Sequence, residues 1–258
     1  MLNVLMIGDV VGKLGRRTVA AVLPEVRRSH AIDVVICNGE NTAGGRGLTP
    51  STAEELYEAG VDVLTSGNHI WENREGLPIL DDPSAPVIRP LNYPKGVPGR
   101  GVHRHGEVAV INAMGRAFMG VTLDDPFRAI DHALADLKDC RIVIVDFHAE
   151  ATSEKVAIGY YLDGRVSAVV GTHTHVPTSD TRVLPKGTAY VTDLGMVGAR
   201  ESVLGMDIEP VIQRFLLQIP NRWDPVEKGP AVFNAVHIQI NEETGRAISI
   251  QRLDREVA

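Results

Sequence analysis

Cysteine is almost absent: only Cys37 and Cys140 occur in 258 residues, far apart and each in or beside an apolar run. That excludes a disulfide framework, and both are expected to be buried thiols in a reducing cytosol. Positive charge is also scarce, with 26 Lys and Arg against 33 Asp and Glu for a formal net charge of −7. Aromatics make up only 5% of the chain, and no basic run is interleaved with them. Tight binding to long nucleic acid through its phosphates is therefore disfavoured. Nothing approaches the roughly 18 uninterrupted apolar residues of a membrane span. The apolar opening, Met1 to Asp9, is short and lacks the basic flank of a signal peptide. A soluble, cytoplasmic protein with no membrane partner is expected.

What remains is an ordinary globular composition, 44% hydrophobic and 23% charged. A chain this long buries roughly 70 to 75% of its unfolded surface, so its core stands without a structural metal. Any metal it binds is expected to serve chemistry. A small anionic substrate stays open, provided that something local supplies the positive charge the chain as a whole lacks.

Short apolar, β-branched runs recur at Asn3 to Ile7, Asp33 to Cys37, Val61 to Leu64, Val108 to Ile111, Arg141 to Phe147, Val166 to Val170 and Ala189 to Val191. They read as strands buried on both faces. Helical spacing fills Gly15 to Leu23 and Ser51 to Ala59, with Thr49-Pro50 as N-cap and first turn of the second. Pro24 is expected to break or kink the first helix near Leu23. Alternating strands and helices predict a layered α/β fold. Ala231 to Ile240 and Ala247 to Leu253, flanking Asn241 to Arg246, predict a hairpin that adds an antiparallel component. Pro83 to Gly101 reads as a long excursion; no composition shift marks a second unit, so residues 1–258 are expected to form one domain.

Open α/β sheets place their sites beyond the carboxyl ends of the strands. Asp9 follows the first strand, Glu40 and Asn41 the second, Asn68 and His69 the third; His148 ends the Arg141 run, and His173 and His175 follow Val166 to Val170. Each has an ordinary alternative. Asp9 could cap a helix, Glu40-Asn41 could open a polar loop, Asn68 could turn the chain, and a single His148 could be a hydrogen-bonded structural histidine. Their joint appearance at one sheet edge is what these separate explanations do not cover.

Gly8-Asp9-Val10-Val11-Gly12-Lys13-Leu14-Gly15 imitates a phosphate loop, but it is one residue short and Leu14 stands where Ser or Thr would hold Mg²⁺. Carboxylates, carboxamides and imidazoles without thiolate suit Mn, Fe, Co or Zn, among which the ligand types do not choose. Two such ions about 4 Å apart carry about +4, need a bridging carboxylate, and keep about +1 after two carboxylates and a hydroxide. That residual charge would attract a phosphate diester.

Gly8-Asp9, Gly39-Glu40-Asn41, Gly67-Asn68-His69, His148 and Gly171-Thr172-His173-Thr174-His175 resemble, in order and spacing, the blocks of calcineurin-like metallophosphoesterases. The longer strings Asn38 to Asn41, His148 to Lys155 and Gly171 to Pro177 resemble the bacterial YmdB-like subfamily, whose members are described as 2′,3′-cyclic nucleotide 2′-phosphodiesterases with a two-metal centre. The resemblance implies a layered α/β/β/α sandwich with mixed sheets. It also implies one metal on Asp9, Glu40, Asn41 and His175, and another on Glu40, Asn68, His148 and His173. Iron or manganese is expected, with zinc or cobalt as alternatives.

Two departures from the wider superfamily stand out. Val11 replaces the usual histidine of the first block, for which Asn41 would substitute, and the usual bridging aspartate is Glu40. The expected mechanism is in-line attack on phosphorus by a hydroxide shared between the metals, with His69 as general acid to the departing ribose oxygen. Ile70 follows His69 where many relatives carry an acid, so no residue is assigned to orient the imidazole.

The partner is expected to be a small phosphodiester such as a cyclic nucleotide. A homo-oligomer is implied by resemblance alone. A phosphomonoesterase or nucleotidase on the same metal core, and a regulator acting through protein contacts, are the alternatives. Arg46 in Gly44 to Gly47 is expected either to touch phosphate or to sit in a surface turn. Thr152 and Ser153 are expected to start a helix, and Asp193 to Gly198 to form a loop rimming the site. His30, His103, His105, His132 and His237 are read as structural or exposed.

Overall fold

Val4 and Met6 point to one side of the first strand and Leu5 and Ile7 to the other, and both sides are buried. A strand with two apolar faces needs a layer on each. The computed structural model, which describes residues 1–258, supplies both.

In chain order the elements are β1 (Leu2–Val10), α1 (Gly12–Ser29), β2 (Val34–Asn38), α2 (Pro50–Ala59), β3 (Val63–Thr65), α3 (Leu77–Asp81), β4 (Val102–His105), β5 (Val108–Met114), α4 (Pro126–Asp136), β6 (Ile142–His148) and α5 (Thr152–Leu162). There follow β7 (Ala168–Thr172), β8 (Arg182–Val183), β9 (Ala189–Val191), β10 (Met196–Ala199), α6 (Ile208–Leu217), β11 (Ala231–Phe233), β12 (Ala235–Ile240), β13 (Ala247–Arg252) and β14 (Arg255–Val257).

Eight strands form one sheet and six the other, in the order β4-β5-β6-β7-β9-β8. In the first, β1 pairs in parallel with β2 on one edge. On its other edge it pairs antiparallel with β12 along Leu2 to Ile7 and in parallel with β10 at Asp9 and Val10. Val4, Met6, Val34 and Ile36 of the first sheet pack against Val110, Ile144 and Val170 of the second. Leu5, Ile7, Val35 and Cys37 turn to α1 and α2, while Val143, Val145 and Phe147 turn to the Ile130 and Ile158 side. Each such side chain contributes about 1.5–3 kcal/mol on burial. The result is the expected α/β/β/α sandwich with mixed sheets.

The local readings fare unevenly. Thr49 caps α2, its Oγ1 accepting from Thr52 N at 3.2 Å, with Pro50 in the first turn. β12 and β13 form the expected antiparallel hairpin around an Asn241 side chain that accepts from Glu243 N and Thr244 N.

Pro24, however, does not end α1, which continues to Ser29. Pro24 and Ala20, whose carbonyl loses its amide partner, both face water, while Val19, Leu23 and Val26 bury the opposite side. Solvent therefore satisfies the freed carbonyl. Ala231 to Ile240 is two strands, not one, because Asn234 leaves the ladder to accept from Gly8 N through its carbonyl. Cys37 is buried as expected, but Cys140 is only half-buried, and Met196 to Ala199 is strand and not loop. No helix is long and apolar enough to cross a membrane.

Candidate metal centre

Because β1 is buried on both faces, Asp9 near its C-terminal end is delivered to an interior crevice and is wholly buried. At the end of β2, Asn38 Oδ1 accepts from Glu40 N at 3.1 Å, a side-chain turn that fixes how Glu40 leaves the strand. Asn41 donates its Nδ2 to Gly45 O at 3.0 Å, which sets the orientation of its carboxamide. Beyond β3, His69 N donates to Glu40 Oε2 at 3.0 Å, so the third strand end braces the second.

The second sheet contributes His148 at the end of β6. Its Nδ1 lies 3.0 Å from Thr172 Oγ1, which donates to Asp146 Oδ1 at 2.7 Å. Since Thr172 spends its proton on Asp146, it accepts from His148 Nδ1, and this leaves Nε2 as the ring nitrogen turned into the crevice. That atom lies 2.9 Å from Asn68 Oδ1, 3.0 Å from His173 Nδ1 and 3.1 Å from Glu40 Oε1. Gly67 makes room for the ring: a Cβ there would fall 2.2 Å from His148 Nε2.

After β7 the backbone turns left-handed at His173 (φ 103°) and His175 (φ 63°), positions that non-glycine residues hold only when fixed from outside. Three contacts fix them. Asp9 Oδ2 accepts from His173 N at 3.1 Å, Asp193 Oδ2 accepts from Thr174 N at 3.1 Å, and His175 Nδ1 donates to Leu204 O at 2.9 Å. Asp193 is itself paired with Lys155 Nζ at 2.6 Å, both side chains buried. His175 Nε2 then lies 3.9 Å from Asp9 Oδ1.

The structure thus gathers Asp9, Glu40, Asn41, Asn68, His69, His148, His173 and His175, though not at one sheet edge. The first five come from one sheet and the histidines of β6 and β7 from the other.

The electrostatics follow from burial. Burial pushes the Asp9 carboxyl up to about 7, against the pull of His175 and His148. Burial acts the same way on Glu40, but the charge and hydrogen bond of His148, with help from His69, outweigh it and hold the group at about 2. For His148 burial opposes the charged form, yet Glu40, Asp9 and Asp146 raise it to about 9. Burial and the neighbouring His148 hold His173 at about 3, as a neutral imidazole with a free lone pair.

This donor set fits a divalent cation. Glu40, His148 and His173 offer ligand atoms all within 4.8 Å of one another. Asp9 Oδ1 and Asn41 Oδ1 are buried with no hydrogen-bond partner. Leaving such an oxygen unsatisfied costs about 1–3 kcal/mol, which a cation would remove.

Residues 5–253 match the family described as YmdB-like protein. The chain belongs to that family. A 2′,3′-cyclic-nucleotide 2′-phosphodiesterase of Bacillus subtilis (strain 168) is 46% identical over 257 residues, spanning 98% of this chain and 96% of the relative. The crystal structure of a hypothetical protein from Thermus thermophilus superposes with a TM-score of 0.93 at 46% identity, with both chains covered in full. That of a novel phosphatase from Mycoplasma pneumoniae gives 0.92 at 33%, covering 99% of this chain and 93% of the other. A 5′-nucleotidase precursor, also from Thermus thermophilus, shares the fold alone, at 12% identity and a TM-score of 0.55.

Several side chains line or support this YmdB-like site besides those expected to bind metal or move a proton. Glu72 Oε1 lies 2.6 Å from His69 Nδ1, taking the orienting place that Ile70 cannot. Its signal was an acid three residues on, the i,i+3 spacing of a turn. Glu150 Oε2 lies 3.1 Å from His173 Nε2. Arg46 sits in a glycine turn, half exposed, with Nη1 3.7 Å from Glu72 Oε2 and its side chain on the cleft wall. The Asp146–Thr172 support of His148 and the Lys155–Asp193 pair complete the set.

Proposed function

We propose that this chain is a dinuclear-metal phosphodiesterase acting on small diesters of the 2′,3′-cyclic nucleotide class, with residues 1–258 working as one catalytic unit. The observation that carries the reading is the pair of buried, donor-less oxygens, Asp9 Oδ1 and Asn41 Oδ1, beside the Glu40–His148–His173 cluster. The identity shared with the Bacillus subtilis phosphodiesterase supports the substrate class.

In this reading Asp9, Glu40, Asn41 and His175 hold one ion and Glu40, Asn68, His148 and His173 the other, Glu40 serving both. Iron or manganese suits these nitrogen and oxygen donors, as would zinc or cobalt. The bound ions supply Lewis acidity that neutralises the phosphoryl oxygens and makes water a competent nucleophile near neutral pH.

The chain's own residues do the rest. His69 faces the same cleft as Glu40, His173 and His175. It hands a proton to the departing ribose oxygen, which leaves poorly as an alkoxide. In a 2′-phosphodiesterase the P–O2′ bond breaks as water oxygen bonds to phosphorus, leaving a 3′-monoester. Glu72 at Nδ1 fixes which ring nitrogen exchanges that proton. Asn38, Asp146 and Thr172 keep the ligand atoms in place before substrate arrives.

The apolar side of α6, with Ile212, Leu216 and Leu217 exposed, supports self-association as a homo-oligomer. Two free thiols, Cys37 and Cys140, support a cytoplasmic setting.

Metal analysis of anaerobically purified protein, followed by chelation and Mn²⁺ addition, tests the proposal. Turnover of 2′,3′-cyclic AMP to the 3′-monophosphate is expected, with p-nitrophenyl phosphate about tenfold or more slower in kcat/KM. A faster monoester reaction would favour the nucleotidase alternative. Partner binding without turnover of any diester would favour the regulator.

A further inference from the structure

The cleft of about 410 Å³ beside the proposed metal-binding side chains is lined by two unlike groups of residues. One is polar, with Arg46, His69, His173 and His175. The other is apolar, formed by Leu204, Met206, Phe215 and Trp223, and the mechanism above uses none of it. Phe215 is 68% exposed and Leu204 46%, large apolar side chains left open beside a polar centre. We infer that this wall is the nucleobase subsite: it seats the flat aromatic end of the substrate while the phosphate end lies among the metal-binding residues. The inference rests on the cyclic-nucleotide reading and adds to it the residues that recognise the base.

Three observations carry it. The first is rigidity. Val203 and Met206 exchange backbone hydrogen bonds of 2.9 and 3.0 Å, Met206 bridges to Pro225, and Asp207 N donates to Asp224 O at 2.9 Å. The segment bearing Leu204 and Met206 is thereby tied to the one bearing Trp223, a wall formed before ligand arrives. The second is registration with the chemistry. Leu204, with φ 55°, turns its carbonyl to His175 Nδ1 at 2.9 Å, so the wall stands at a fixed distance from a proposed metal ligand.

The third observation is the surface offered. Trp223 commits its indole N–H to Asn221 Oδ1 at 3.0 Å, which leaves the ring faces as its remaining means of contact. Met206 contributes a polarisable thioether suited to aromatic rings. A cleft of this volume falls near the lower end of the roughly 300–1,000 Å³ typical of small-molecule sites, a fit for one mononucleotide and not for an oligonucleotide. Stacking of this kind is tolerant of base identity, because every base has a π-face.

The test compares 2′,3′-cyclic AMP with the base-free methyl riboside 2′,3′-cyclic phosphate on the Mn²⁺-loaded protein, its Trp223→Ala variant and the conservative Trp223→Phe. The native protein is expected to favour the base-bearing diester by about tenfold or more in kcat/KM, the scale of one stacked base. Trp223→Ala should cut that ratio about fivefold or more through KM, and Trp223→Phe should restore most of it. Independently of activity, adenosine should quench indole fluorescence saturably in the native protein and not in Trp223→Ala.

Equal kcat/KM for the two diesters in the native protein, or an unchanged ratio in Trp223→Ala, overturns the subsite while leaving the phosphodiesterase reading intact. If neither diester is turned over, that reading fails, and the fluorescence titration still decides whether the wall takes a base. If Trp223→Ala instead shifts the sedimentation coefficient and depresses both substrates alike, the wall is a contact between copies and the inference is wrong.

Discussion

His69 and Glu72 form a hydrogen-bonded pair within one short turn, Nδ1 to Oε1 at 2.6 Å, and Glu72 is itself approached by Arg46. In the proposed mechanism the carboxylate holds the ring whose other nitrogen would serve the leaving group. Glu72→Gln is expected to lower kcat on 2′,3′-cyclic AMP about tenfold and His69→Ala about a hundredfold or more, both with metal content retained. On bis(p-nitrophenyl) phosphate, whose leaving group needs no proton, both losses should shrink to a few-fold. Parent-rate hydrolysis of the cyclic nucleotide by His69→Ala would remove the acid from the mechanism.

Glu40 is the one carboxylate assigned to both ions, and it also accepts from His69 N. Glu40→Ala should therefore lose metal and activity together. A thermal melt offers an activity-free measurement: Mn²⁺ at a hundred times its Kd stabilises a one-site protein by about 2.7 kcal/mol. The native chain should show an upward Tm shift of that origin, and the variant should be flat. A full shift in Glu40→Ala would remove the residue from the ligand set.

Gly67 lies so close to the fully buried His148 that a methyl group there would fall 2.2 Å from Nε2. Gly67→Ala is expected to displace the imidazole, reducing bound metal from two ions to about one or fewer per chain while far-UV circular dichroism keeps its native shape. Two tightly held ions per chain in this variant would mean that His148 is not a ligand.

Lys155 and Asp193 form a buried ion pair beneath the His173–His175 turn, and Asp193 also accepts from Gly195 N at 2.8 Å. Lys155→Met would leave the carboxylate uncompensated, at a cost of about 3–5 kcal/mol in urea unfolding. Because Asp193 also holds Thr174 N, Mn²⁺ affinity measured by calorimetry should fall as well. Unfolding within about 1 kcal/mol of native would show that Asp193 finds another partner.

The strand ends were legible because strands buried on both faces read as largely apolar runs, so that Asp9 and His148 near the ends of β1 and β6, and Glu40 just beyond β2, stand out as polar. The division of those residues between two sheets was not legible from any one run, since strand pairing is a long-range choice. Glu72 escaped notice because its i,i+3 spacing from His69 falls in an irregular turn, where the neighbouring residues carry no helical pattern to give that spacing weight. β10 has only four residues, one of them Gly198, and is a strand because β1 and β11 flank it. Lys155 sits in the first turn of α5, where pattern alone places a lysine in water; burial is decided by Asp193, 38 residues away.

The separation of Asp9 and His148 onto different sheets has a consequence for biosynthesis. An elongating polypeptide that has emerged only through α5 possesses most of the donor atoms but neither His173 nor His175. It holds no complete pocket until β7 docks beside β6. Under the proposed ligand set, a cation could find its full complement of donors only once β7 has joined β6 and the two sheets face one another.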